Sequence, residues 1–307
     1  LKPRRVSVLL NASSGKSAGE EGDKIEAALK AAFDNHGLSA NLEFLKGEEL
    51  RAGAERALQK VRAGEADVIV VGGGDGTIST VAGVLAGSDV PLGIIPLGTL
   101  NHFAKDLNIP LAIEEAVALI VAGNTRPIDV GEANGRIFIN NSSIGLYPDL
   151  VLERERRRGQ EGLPKWLALI LGGFRTLRYF PARRLTIRAK GVAEAYRSPC
   201  VFVGNNVYRI KGPSLGTRDR LDEGHLSLHV AKQQSRLAVL WLSCRSFFGF
   251  LDEQRDLRSF TLPAVDISSH DTQLLVSFDG EVETMRPPLH YRTRPGALHV
   301  FVPPAAA

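Results

Sequence analysis

Val68-Ile69-Val70-Val71-Gly72-Gly73-Gly74-Asp75-Gly76-Thr77 is an apolar run that ends in a glycine-rich turn. Further on, Leu92-Gly93-Ile94-Ile95 runs into Pro96-Leu97-Gly98-Thr99-Leu100-Asn101 in the same manner. A short continuous apolar run bounded by turn residues reads as a strand buried on both faces. Each turn leads into a helical stretch and so presents backbone N–H groups at a helix N-terminus, where phosphate binds well. Two such turns in succession point to a polyphosphate, and among these to a nucleotide.

Working outward, the first third of the chain alternates strand and helix. Val6 to Leu10 reads as a strand, Glu21 to Phe33 as a helix with Ile25, Ala28, Leu29, Ala32 and Phe33 on one face, and Asn41 to Leu45 as a strand. Glu48 to Arg62 reads as a helix, Asp67 to Val71 and Pro91 to Ile95 as strands, and Thr99 to Leu107 and Ile113 to Val121 as helices. This order predicts an α/β domain, a parallel sheet covered by helices. After about Arg126 the pattern changes. Asn134-Gly135 between two apolar runs is a strong hairpin signal, and strand-like runs recur at Arg184 to Ala189, Pro199 to Val203, Leu226 to Val230, Leu274 to Phe278 and Leu298 to Val302. The expectation is a nucleotide-binding domain over 1–126, to which 295–307 returns, and an antiparallel β-rich domain over 127–294. Helical stretches at Lys165 to Tyr179 and Ser235 to Leu251 interrupt the second domain.

Composition narrows the class. The 307 residues are 44% hydrophobic and 23% charged, which is ordinary for a globular protein. Cys200 and Cys244 form no disulfide framework and no metal-ligand spacing, which fits a reducing compartment. The apolar run Val6 to Leu10 is too short for a signal peptide. The net charge of +4 is unevenly placed: residues 151–190 carry eleven Lys or Arg against three Glu. A local basic patch points to an anionic surface. No nucleic-acid-binding signature accompanies it, so nucleic acid is not the expected partner.

The turns differ in what they offer. Asn11-Ala12-Ser13-Ser14-Gly15-Lys16-Ser17 lacks the first glycine of a P-loop, since Leu10 stands there. A phosphate-contacting turn through Asn11, Ser14 and Gly15 and an ordinary small-residue loop both remain open. The second turn fails the dinucleotide pattern, because its sixth position is Thr77 or Ser79. Gly73, Gly74 and Gly76 allow close backbone approach to a ligand. Asp75 would repel phosphate unless it holds Mg²⁺, its water or a substrate hydroxyl, and Thr77 is placed to cap the following helix. In the third turn, after Gly98, Thr99 reads as the N-cap and Asn101 as a residue of the first helical turn, where an amide calls for a partner.

Together these turns resemble the diacylglycerol kinase catalytic family, which includes bacterial soluble lipid kinases and the sphingosine and ceramide kinases. The residues that carry the resemblance are Gly73-Gly74-Asp75-Gly76-Thr77 and Pro96-Leu97-Gly98-Thr99 with Asn101, Phe103 and Ala104. Ile128-Asp129-Val130-Gly131, the run Phe138 to Gly145, and Asp279-Gly280-Glu281 extend it over nearly the whole chain. The resemblance implies ATP-dependent phosphorylation of a lipid hydroxyl, a C-terminal β-sandwich lipid domain and a cleft between the domains. It also implies that the last strand, here Ala297 to Val302, returns to the first domain. It gives Glu281 the role of general base beside Asp279, and gives Asp75 and Asp129 the task of organising Mg²⁺ on the ATP phosphates. By their residues alone, Asp279-Gly280-Glu281 read as a hairpin turn with exposed acids.

Two positions depart from the family pattern. His102 follows Asn101 where Asp is common, and Glu223 replaces Asp in Arg220-Leu221-Asp222-Glu223-Gly224-His225, the loop that matches a structural cation site. The basic stretch 154–190, with its apolar segment Pro164 to Arg175, suits an interfacial helix at the inner face of the membrane. A helix packed on the β-domain with a solvated basic face suits it equally. A sheet edge in the second domain would permit a homodimer. The expected protein is cytoplasmic and peripheral to the membrane. An NAD kinase-like enzyme and a nucleotide-responsive lipid-binding protein without turnover are the competing readings.

Overall fold

The computed structural model describes residues 3–12, 20–146, 148, 183–189, 192–209, 216–232 and 256–304. Ser14, Gly15, Cys244, the expected helices at 165–179 and 235–251, and the basic stretch up to residue 182 lie outside them.

In chain order the elements are β1 (Arg5–Asn11), α1 (Glu20–Asn35), β2 (Ser39–Leu45), α2 (Leu50–Arg62), β3 (Val68–Gly73), α3 (Asp75–Leu85), β4 (Leu92–Pro96), α4 (His102–Asp106), α5 (Ile113–Ala122) and β5 (Thr125–Ala133). There follow β6 (Arg136–Phe138), β7 (Asn141–Gly145), β8 (Arg183–Ala189), β9 (Val192–Ser198), β10 (Cys200–Asn205), β11 (Leu226–Ala231) and β12 (Leu257–Leu262). The described chain closes with β13 (Ala264–Ser269), β14 (Leu274–Phe278), β15 (Glu281–Met285) and β16 (Leu289–Phe301). The chain divides into two compact units, Leu1–Val130 with Pro295–Ala307, and Gly131–Arg294. The division falls between Val130 and Gly131 inside β5, four residues beyond Arg126, because the strand runs unbroken through the place where the sequence pattern changes.

In the first unit β2, β1, β3 and β4 lie side by side, all parallel, and the end of β16 joins them where Val300 pairs with Leu92. Every residue of β3 and β4 is buried, which explains their continuous apolar runs. Helix α1 contributes Leu29, Ala32 and Phe33, and α5 contributes Ala116, Val117 and Ile120, to a core with Val6, Val8, Leu10, Val68 and Val70. The spacing on α1 puts its three core residues on one face, and burying each large side chain contributes about 1.5–3 kcal/mol.

The second unit is a sandwich of two antiparallel sheets. One has the order β12-β11-β10-β7-β14-β15; in the other, β13 pairs with β8 and with the start of β16, and β8 pairs with β9. Their inner faces share one core, in which Leu185, Ile187, Val265 and Ile267 meet Val201, Val203, Leu228 and Val276. The N-terminal α/β unit and the C-terminal β-sandwich expected from the sequence are both present. Asn134 and Gly135 at φ 46° and 87° form the two-residue turn between β5 and β6 that their sequence demands.

Candidate active site

Strands β1, β3 and β4 are parallel, so their C-terminal ends open at one edge of the sheet, where ligands bind in such folds. The described parts of the three turns interlock there. Asn11 at the end of β1 donates from its side-chain amide to Thr77 Oγ1 at 3.0 Å. Leu97 N–H donates to the Gly73 carbonyl at 3.1 Å. A Cβ on Gly98 would stand 2.5 Å from Gly74 Cα and 2.7 Å from Asn101 Oδ1, so the two glycines touch backbone to backbone. A Cβ on Gly73 would meet Thr77 at 2.7 Å. These glycines are therefore required by close approach rather than by left-handed geometry.

Asp75 is the first residue of α3, with Gly74 as the N-cap. Its carboxylate accepts the N–H groups of His102 at 3.2 Å and Phe103 at 3.0 Å, so it caps α4 across the turn. Thr77 lies inside α3 and not at its cap, a correction of the sequence reading. Thr99 is likewise no cap: Asn101 occupies that position at φ 51°, one residue before α4 begins. The two corrections have separate causes: Asp75 satisfies from a distance the α4 N–H groups that Thr99 was expected to serve, while α3 already starts at Asp75, two residues before Thr77. Asn101 is only 6% exposed. Its amide nitrogen donates to the Gly98 carbonyl at 2.9 Å, while its Oδ1 is buried without a hydrogen-bond partner. An orphaned buried acceptor inside a glycine turn carries a cost that a bound donor would relieve. Gly76 follows Asp75, half-buried, in the first turn of α3.

Asp129, on β5, is 2% exposed and accepts the Gly296 N–H at 2.9 Å. Among the described residues no group of three or more His, Cys, Asp or Glu is placed to hold a metal ion. In the loop 220–225, Arg220 Nε donates to Asp222 at 2.9 Å and His225 Nδ1 meets the Glu223 carbonyl at 2.6 Å.

In the second unit Asp279 and Gly280, at φ 50° and 93°, make the turn between β14 and β15. The Asp279 carboxylate accepts three backbone N–H groups, from Ile139 and Asn140 at 2.8 Å and Asn141 at 2.9 Å. It pins the hairpin tip to the segment before β7. Glu281, the next residue after the turn, stays half-exposed and is held by Arg136 Nη2 at 2.8 Å; Arg136 Nε reaches Glu283 at 2.8 Å. Partial burial pushes the Glu281 carboxyl above its ordinary value, Arg136 opposes this, and the charges of Glu283 and Asp279 add to the rise. The sequence reading missed Arg136 and Glu283. Their signal was the register: Arg136 follows the Asn134-Gly135 turn at once, and Glu283 shares a strand face with Glu281.

Residues 5–133 match the diacylglycerol kinase catalytic domain, and residues 155–302 match the YegS C-terminal NAD kinase beta sandwich-like domain. Together the two matches span most of the chain, as a diacylglycerol kinase catalytic domain followed by a YegS-type sandwich domain. Its relatives include a probable YegS-like lipid kinase of Pectobacterium atrosepticum, 28% identical over 95% of this chain and 94% of that protein. The diacylglycerol kinase of Bacillus subtilis is 36% identical over 49% of this chain and 48% of its own length. The crystal structure of a diacylglycerol kinase from Bacillus anthracis shares the fold over the full length of both chains, with TM-score 0.67 at 23% identity. The catalytic-domain match and these relatives make the protein a kinase that phosphorylates an alcohol.

Proposed function

We propose that the protein transfers the γ-phosphate of ATP to a lipid hydroxyl of the diacylglycerol or sphingoid type. The observation that carries this is the backbone contact of Gly74 with Gly98 at the strand ends, beside the unpartnered Oδ1 of Asn101. Side chains are absent where the phosphates would lie, and N–H groups take their place. Gly73, Gly74, Gly76 and Gly98 would cradle the phosphates, Asn101 Oδ1 would accept a donor of the nucleotide, and Asn11 would hold Thr77 in place.

Each Asp75 oxygen keeps a lone pair beyond its backbone contact, which fits a single contact to Mg²⁺ or to its water. Buried Asp129, bonded to Gly296, suits a structural role better. Mg²⁺ on the phosphates supplies charge neutralisation, held mainly by substrate oxygens and water. In the second unit Glu281 is the general base, a carboxylate with a raised pKa and an exposed side, able to take the proton of an acceptor hydroxyl. Asp279 accepts three backbone N–H groups, which fixes the tip of the hairpin, so its role is to position Glu281.

The acceptor is read from the kinship with lipid kinases and from the basic stretch 154–190, which gives the protein a route to an anionic membrane surface. No helix among the described residues is long and apolar enough to cross a membrane. The test is incubation with γ-labelled ATP, Mg²⁺ and mixed micelles of total bacterial lipid. A labelled lipid is expected, and Glu281→Gln is expected to lose at least a hundredfold in rate, as for loss of a general base, with ATP binding retained. Label in a soluble acceptor alone would refute the lipid reading, and an active Glu281→Gln would remove that residue from the base role.

A further inference from the structure

In the second unit Arg184 on β8 stands directly opposite Arg197 on β9. Like charges facing each other across neighbouring strands destabilise a sheet, because their Cβ atoms lie only about 5 Å apart. Several other arginines of this unit are neutralised. Arg183 bonds Asp271 at 2.8 Å and Arg258 meets Glu194 at 3.5 Å. Arg292 and Arg294 reach Glu132 at 2.6 and 3.4 Å. Among the described residues no carboxylate pairs with Arg184 or Arg197.

The same two arginines line an open cavity of about 270 Å³ together with His270, Thr186 and Tyr196. Tyr196 is fixed there by a hydrogen bond from its hydroxyl to Glu194. A water occupies about 30 Å³ of liquid, so the cavity has room for a phosphate group with a short substituent. Two guanidinium forks, an imidazole and the Thr186 hydroxyl are the donors that a phosphate recruits, and a dianion between the arginines would reverse the sign of their interaction.

We propose that this cavity is a phosphate-binding site, separate from the nucleotide turns and from the Asp279–Glu281 hairpin, none of whose residues lines it. The ligand is a phosphate group, either on an anionic phospholipid headgroup or on a small soluble phosphate. The site does not depend on the assignment of Glu281.

The full chain and its Arg184→Gln, Arg197→Gln double variant would be titrated with sodium phosphate by calorimetry. Both would also be sedimented with phosphatidylcholine vesicles containing phosphatidylglycerol. The double variant is expected to bind at least about tenfold more weakly in one arm or both. Loss in the phosphate arm identifies a soluble ligand as sufficient, and loss in the vesicle arm alone identifies the headgroup. Equal behaviour of the two proteins in both arms overturns the site. Folding is checked in phosphate-free buffer, where the variant should melt at or above the temperature of the parent, since a repulsion has been removed. A lower melting temperature there would show that the arginines hold the strands together, and would overturn the proposal as well.

Discussion

Glu281 is held between opposed influences, and that balance sets what it can do. Burial and the neighbouring Glu283 and Asp279 charges raise its pKa, and Arg136 pulls it down. A base must be ionised to act, so the rate should fall on the acid side at a pH above the ordinary carboxylate range. Arg136→Gln removes the opposing charge, and the acid limb of kcat/KM is expected to move to higher pH. An unmoved limb would separate Arg136 from the base. The same balance bears on stability. A folded-state pKa above the unfolded one means that the folded chain binds more protons in that window, so this group favours folding more as pH falls through it. The charged form therefore costs stability at neutral pH. Glu281→Gln is expected to melt at or above the temperature of the parent at pH 7, with the advantage disappearing as pH falls through the Glu281 pKa. Arg136 keeps Glu283 as a partner in that variant. A destabilised Glu281→Gln at neutral pH would contradict this account.

At the scale of elements, the turns act as a set. Gly98 has no room for a methyl group, because the atom it would strike is the backbone of Gly74, which cannot swing aside as a side chain could. Gly98→Ala is expected to cost about 1–3 kcal/mol and to weaken ATP binding at least tenfold, measured by denaturant melts and calorimetry. Unchanged binding would mean that the contact does not shape the phosphate cradle. These turns were legible because buried parallel strands leave continuous apolar runs and phosphate-type turns leave glycines. Helix starts were less legible: Thr77 and Thr99 resemble caps, yet Asp75 performs the capping of α4 through space. Strands β7, β9, β12, β13 and β15 were not read from the sequence. β9, β12 and β15 lie at sheet edges, where only one neighbour and little burial shape the pattern, as Glu281–Met285 shows with no fully buried residue. β7 and β13 lie inside their sheets, but Asn-Ser-Ser-Ile-Gly and Ala-Val-Asp-Ile-Ser-Ser are too short and polar to stand out as apolar runs. For Glu281 the residues alone offered only a hairpin turn, the base role coming from the resemblance, and its pairing with Arg136 depends on two strands separated by more than a hundred residues.

At the scale of the whole molecule, β16 serves both units: its start pairs with β13 and its end with β4. The first unit, which carries all three strand-end turns, is thus completed by the last part of the chain. Leu298, Val300 and Phe301 are fully buried, and Phe301 joins the core of α1 and α5. The Gly87 N–H donates to the Ala297 carbonyl at 2.7 Å, Val302 N–H donates to Asn124 at 3.1 Å, and Asp129 accepts from Gly296. Removing residues 295–307 would leave every turn in the chain but delete three buried apolar side chains and uncover the partners they pack on. At about 1.5–3 kcal/mol for each, the loss is comparable to the whole stability of an ordinary domain. Asp129, left as a buried carboxylate that has lost its Gly296 donor, adds to it. A chain ending at Arg294 is therefore expected to lose ATP binding and the cooperative melt of its first unit, while the sandwich core of the second keeps its β-sheet signal in circular dichroism. If the shortened chain bound ATP as the full chain does, the first unit would be self-sufficient and the returning strand would be an ornament of the fold. The burial of Asp129 against the Gly296 backbone argues against that, because this carboxylate takes a hydrogen bond from the returning strand and loses it with the strand.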